Sequence, residues 1–118
     1  MATPNLANIS IAYGNTVVQQ VTTVATAIVS NSATSNALVK IRTLSIANKS
    51  NATANVTVDL LRSSTAYDLA NGISVPTQST FIAIGKDNEY YLIEGDTLRV
   101  KASSNSVIDA VAVFETVS

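Results

Sequence analysis

The sequence predicts an all-β protein, an antiparallel β-sandwich (jelly-roll or Ig-like) of about seven or eight strands behind an irregular N-terminal arm. Three observations carry this reading. Val, Ile and Thr supply 38 of the 118 residues, against 8 Leu and 1 Met, and β-branched side chains suit a pleated, half-buried surface better than a helix. Apolar and polar residues alternate over several short stretches, the period of a strand with one face inward. Turn residues recur about every 8–12 positions, as strands joined by short loops require. The length suits one domain, divided into an arm over 1–15 and a sandwich over 16–118.

Ala2–Asn15 holds Pro4, Gly14 and several Asn with weak periodicity, and reads as the arm. Thr16–Ser30 carries two patterns. Val17, Val21, Val24 and Ile28 fall at helical spacing, while the interleaved Thr residues and five Val favour a strand. Ser30–Asn36 is a Ser/Asn loop. Leu38–Asn48 is a strand whose alternation slips phase, since Val39 and Ile41 do not share parity with Leu44 and Ile46. A bulge, or burial of both faces, explains such a slip. Lys49–Thr53 is a polar turn, and Asn55–Leu61 alternates cleanly with Val56, Val58 and Leu60 inward.

Asn71-Gly72 splits Tyr67–Val75, and this dipeptide predicts a hairpin because both residues tolerate positive φ. Pro76 lacks a backbone donor and marks a strand end or edge. Gln78–Gly85 is the next strand, Lys86–Glu89 a charged turn, and Tyr90–Ile93 leads into the tight turn Glu94-Gly95-Asp96. Thr97–Ala102 alternates with Leu98, Val100 and Ala102 inward, and Ser103–Ser106 precedes a last strand over Val107–Val117. That strand is apolar on both faces. Ile108, Ala110, Ala112 and Phe114 form one set, Val107, Val111, Val113 and Val117 the other. One set fills the core, and the other needs cover from the N-terminal segment or from another chain. Val107, Val111, Val113 and Val117, with Leu6, Ile9 and Ile11 of the arm, are therefore the candidate subunit-interface residues.

The chemistry available is narrow. His and Cys are absent, which removes disulfides, thiolate nucleophiles, imidazole acid/base work and ordinary zinc sites. A formal net charge of −1 gives no electrostatic grip on nucleic acid or an acidic membrane. Arg42, Arg62, Arg99 and Lys101 are scattered, and no apolar run approaches the roughly 20 residues of a membrane span. Asp87, Glu89, Glu94 and Asp96 cluster around two turns, but their spacing matches no calcium loop and Lys86 sits among them. They read as turn residues. Tyr90 and Tyr91 point to opposite faces, so one is core and the other exposed. With no Trp there is little to build a sugar platform, which weighs against a carbohydrate-binding or adhesin sandwich. The chain is read as non-enzymatic and without cofactor or metal.

Two stretches carry a resemblance. Ile41-Arg42-Thr43-Leu44-Ser45-Ile46-Ala47-Asn48 runs through a polar turn to Val56-Thr57-Val58, and Tyr91-Leu92-Ile93-Glu94-Gly95-Asp96-Thr97-Leu98-Arg99-Val100-Lys101-Ala102 follows after Val75-Pro76. Together they resemble the small β-sandwich virion proteins encoded among the head and tail genes of tailed bacteriophages, in which the second stretch forms a hairpin before the last strand. The resemblance implies a capsid decoration or cement subunit, or a neck or tail component. It also implies a homo-oligomer that contacts major capsid or neck and tail proteins, located in the virion and assembled in the bacterial cytoplasm. It has no catalytic residues to transfer.

Overall fold

A computed structural model describes residues 12–85, 87–105 and 107–117. Nine strands follow one another: β1 Ala12–Val21, β2 Thr26–Ser30, β3 Leu38–Asn48, β4 Ala54–Arg62, β5 Thr65–Val75, β6 Thr80–Ile84, β7 Tyr90–Leu92, β8 Thr97–Ala102 and β9 Ile108–Val117. They form two antiparallel sheets. Sheet one has the order β1-β9-β3-β6, with β7 also pairing β3, and sheet two the order β2-β8-β4-β5. β6 takes residues 44–47 of β3 and β7 takes residues 39–41, so the two short strands lie along one side of it.

The pairing is nested. β4 pairs β5, β3 pairs β6 and β7, β2 pairs β8, and β1 pairs β9. This is one long hairpin folded over itself, the jelly-roll arrangement of the two that the sequence allowed. Its tip is the two-residue loop Ser63-Ser64 between the paired Arg62 and Thr65. Both tip residues have positive φ, 52° and 65°, the signature of a type I′ turn matched to the twist of the flanking strands.

Several expectations change. Among the described residues the strand count is nine, because the reading of Thr16–Ser30 as one element resolves into β1 and β2 in different sheets, with exposed Val24 in the corner between them. β1 begins at Ala12, so residues 12–15 of the segment read as arm are strand. Asn71-Gly72 makes no hairpin. β5 runs through it, and the register against β4 shifts between Val56 and Val58, where Gly72 (φ 61°) donates its N–H to Thr57 Oγ1. Gly supplies the same left-handed backbone to a bulge as to a turn, and the reversal had already been made at Ser63-Ser64. Glu94-Gly95-Asp96 is likewise no hairpin, since it carries the chain from β7 in sheet one to β8 in sheet two.

The phase slip in β3 is a bulge. Arg42 is the extra residue where the register against β9 shifts between Ile41 and Thr43. Val39 and Ile41 before it, and Leu44 and Ile46 after it, are all buried as a result. The core lies between the sheets: Val21, Ile41, Leu44, Ile46, Ile84 and Ile108 of sheet one face Val56, Val58, Leu98 and Val100 of sheet two. Ala54, Ala102, Ala110 and Ala112 are also buried there. Tyr90 packs against this core and Tyr91 stays exposed.

Wherever the folded hairpin turns from one sheet to the other, two chain segments turn together, and buried asparagines tie two of these double corners. Asn31 donates through Nδ2 to the carbonyls of Ala37 (3.0 Å) and Leu92 (2.8 Å), and its Oδ1 accepts from Ser35 Oγ. Its backbone N–H donates to the Asp96 carbonyl, while its own carbonyl accepts from Gly95 N–H. Asn48 repeats the device. Its Nδ2 donates to the carbonyls of Ala52 (2.8 Å) and Val75 (3.0 Å), and its Oδ1 accepts from Ser50 N–H and Oγ.

Two predictions follow from these contacts. Asn48→Asp places carboxylate oxygens against two carbonyls in a buried site, and should lower unfolding stability in urea by about 3 kcal/mol or more. Replacing Ser63-Ser64 by Asn-Gly gives the tip residues that tolerate positive φ, and should raise stability by about 0.5–1 kcal/mol with unchanged circular dichroism.

Candidate functional site

The carboxylates that clustered in sequence separate in space. Glu89 pairs with Lys40 (3.3 Å) and Arg42 (3.3 Å), and Arg42 reaches Glu115 (3.1 Å). Asp96, almost wholly buried, takes a two-pronged contact from Arg62 and accepts the Ile93 N–H at 3.0 Å. Glu94 Oε2 accepts the Asn36 N–H at 3.0 Å. These acids brace the corner between β7 and β8. Among the described residues no group of three or more acids converges as a metal site would require. A depression of about 200 Å³ lies at this corner, lined by Arg62, Ser63, Ile93, Glu94, Gly95 and Asp96. The three exposed tyrosines, Tyr13, Tyr67 and Tyr91, lie on three different strands, β1, β5 and β7.

The outer faces of the two sheets differ in kind. On sheet two, Arg99 of β8 and Asp59 of β4 are direct cross-strand partners, and Arg99 grips both carboxylate oxygens at 2.7 and 3.1 Å. Asp59 is only 5% exposed beneath this contact. The hydrogen bond to Asp59, more than its nearby charge, holds the Arg99 pKa above the ordinary guanidinium value. A raised base pKa stabilises the fold at all pH values below the unfolded-state value and loses that effect only as pH climbs through the folded one, so this contribution is constant across neutral pH. Asp68 of β5 continues the row beyond Asp59. This face is charged.

Sheet one presents an uncharged band. Val18 of β1 lies opposite Val111 of β9, Val111 opposite Ser45 of β3, and Ser45 opposite Ile82 of β6. Val18 is 72% exposed and Ile82 56%. The row crosses four strands, about 14 Å at the usual strand spacing. Beside it Thr16, Val113 and Thr43 form a second row. Among the described residues charge appears only at the ends of the band, in the Lys49–Asp109 bridge (3.3 Å) and the Arg42–Glu115–Glu89–Lys40 network. A depression of about 340 Å³ indents the band next to β1, lined by Val18, Gln19, Gln20, Asp109, Ala110 and Val111.

The candidate interface residues sort accordingly. Val111 and Val113 are half-buried within the band. Val107 precedes β9 and packs on the core edge. Val117 is 8% exposed and pairs with Ala12 and Leu38, so it offers little surface. Leu6, Ile9 and Ile11 lie outside the described residues. Sequence reasoning missed Val18 and Ile82, which complete the band. Their exposure depends on strand order, which joins residues 18, 111, 45 and 82 in one row with no periodic signal to announce it.

No family model matches the sequence, and no curated protein matches it. Solved structures do. A subunit of Bacillus endospore appendages, described as disulfide-linked pili, aligns with a TM-score of 0.57 at 9% identity over 100% of this chain and 96% of that one. A pentameric capsid protein from metagenomic phage sequences aligns with a TM-score of 0.43 at 18% identity, over 85% of this chain and 59% of that one. A chain of the T13 particle of the virus IBDV gives 0.45 at 11% identity, over 92% of this chain and 31% of that one. At 9% identity the likeness to the pilus subunit is one of fold.

The charged face yields a stability test. Arg99→Met leaves the Asp59 carboxylate buried without its cation, and should cost about 2–3 kcal/mol in chemical unfolding. The double change Arg99→Met with Asp59→Leu should recover most of that loss, because both charges are then gone.

Proposed function

We propose that this chain is a non-enzymatic structural subunit of a tailed-phage particle, a head decoration or cement protein that works by burying protein surface against its neighbours. The observation that carries the reading is the uncharged band on sheet one. Its exposed Val18 and Ile82 flank half-buried Val111, and such a patch on a sheet face marks a contact surface. Each subunit then contributes a modest area, and many copies on a lattice multiply weak contacts into firm attachment. The charged outer face of sheet two suits the solvent side.

Further support comes from the resemblance of the β3–β4 and β7–β8 stretches to small virion sandwiches. The pilus subunit that shares the fold is also an assembly protein, described as disulfide-linked. This chain has no cysteine, so disulfides play no part in its attachments. The preference for the head over neck or tail rests on the sequence reading of an N-terminal arm ahead of the sandwich.

The test is a capsid-binding assay with purified protein. Val111→Asp and Val113→Asp should reduce binding at least tenfold while the melting temperature stays within a few degrees. Unfolding of these variants would assign the face to the domain's own core. Because the band is uncharged, binding should change little between low and high salt. Deleting residues 1–11 spares every described strand and should abolish attachment through loss of the arm. A truncated protein that binds as well as the full chain would remove the arm from the mechanism.

A further inference from the structure

We propose that β1 is a self-pairing edge, through which two copies of this chain join antiparallel and merge their first sheets into one. The proposal rests on the assembly reading above and names the contact between identical subunits. A sheet edge exposes unpaired N–H and C=O groups, and proteins that remain monomeric blunt such edges with charge, proline, bulges or shortness. The edges of this sandwich can be compared directly. β2 and β6 are five residues each. β5 is eleven residues long, but it carries Asp68, shifts register twice against β4 and is followed by Pro76. Three edges are protected.

β1 is different. Its ten residues, Ala-Tyr-Gly-Asn-Thr-Val-Val-Gln-Gln-Val, contain no charge and no proline. It pairs with β9 over ten consecutive positions without a register shift, from Ala12–Val117 to Val21–Ile108. Among the described residues its other side has no partner strand. Tyr13 and Val18 on it are 61% and 72% exposed.

The neutrality of β1 argues for a second copy as the occupant. Like charges placed opposite one another destabilise a strand pair. In any antiparallel register of β1 on its twin, no such pair arises, because neither strand has a charge to contribute. A charged partner strand would find no counter-charge there. Antiparallel pairing of identical strands also generates a closed two-fold, the commonest symmetry of homo-oligomers. A two-fold axis normal to the sheet keeps the two outer faces on the same side, so the two uncharged bands would lie side by side on one surface across the dimer.

The cysteine-free background makes the test direct. The mass of the full chain is measured by light scattering across a concentration series, for wild type and for the double variant Val18→Lys/Gln20→Lys, both at exposed positions. Wild type should be dimeric at high micromolar concentration, and the double variant should halve in mass with its circular dichroism unchanged. Single cysteines at Asn15, Thr16, Val18 and Tyr67 are then oxidised separately. Crosslinked dimers should form at one or more of the β1 positions and not at Tyr67. A monomeric wild type, a double variant that stays dimeric, or crosslinking confined to Tyr67 would overturn the proposal. Should the variant fail to fold, the cysteine series decides alone. Capsid binding by a monomeric wild type would refute β1 pairing and leave the structural role standing. A β1 dimer without affinity for virion parts would do the reverse.

Discussion

The fold depends on the satisfaction of polar groups where the long hairpin bends. A jelly roll turns two strands together at every corner, and each corner buries backbone that has left one ladder without joining the next. Asn31 and Asn48 meet this demand with the same chemistry. A primary amide presents two donors and an acceptor in a plane, enough to bind two carbonyls from two different segments and still receive a hydroxyl. Neither aspartate nor leucine offers that combination. Among the described residues no buried side-chain nitrogen or oxygen lacks a partner, so the interior is fully committed. The apolar core adds cohesion, but the corners decide which strand joins which sheet.

Much of this architecture was legible in the sequence. β3 and β8 span the stretches expected of them, because each alternates over a length bounded by turn residues. The bulge in β3 was visible as a change of parity between Ile41 and Leu44. Partition between sheets was not visible. Asn71-Gly72 and Glu94-Gly95-Asp96 both announce positive φ, and a local signal of that kind does not distinguish a reversal from a bulge or an inter-sheet corner. The actual reversal uses Ser63-Ser64, two residues that reach positive φ against their own preference because the flanking ladder imposes it.

The candidate site was legible in part, for a related reason. Val111 and Val113 were identifiable because β9 is apolar on both faces. Val18 and Ile82 were not, since they join the band only through neighbours distant in the chain. The acids, read as turn residues, show the same mismatch of scale from the other side. Asp87, Glu89, Glu94 and Asp96 are close in sequence, whereas in space Glu89 serves Lys40 and Arg42 on sheet one and Asp96 serves Arg62 at the end of β4. Proximity along a β chain says little about proximity across it.

The outermost rung of the nested hairpin has a practical meaning. Ala12 and Val117 face each other across the β1–β9 ladder, so the two ends of the described strands meet at one doorway, about 5 Å wide. Such a module can be spliced into a surface loop of a host protein without prying that loop apart. Equally, a short bridge between the two points and a cut at Ser63-Ser64 would give a circular permutant with every ladder retained. A scaffold so easily re-threaded is a natural carrier for displayed peptides.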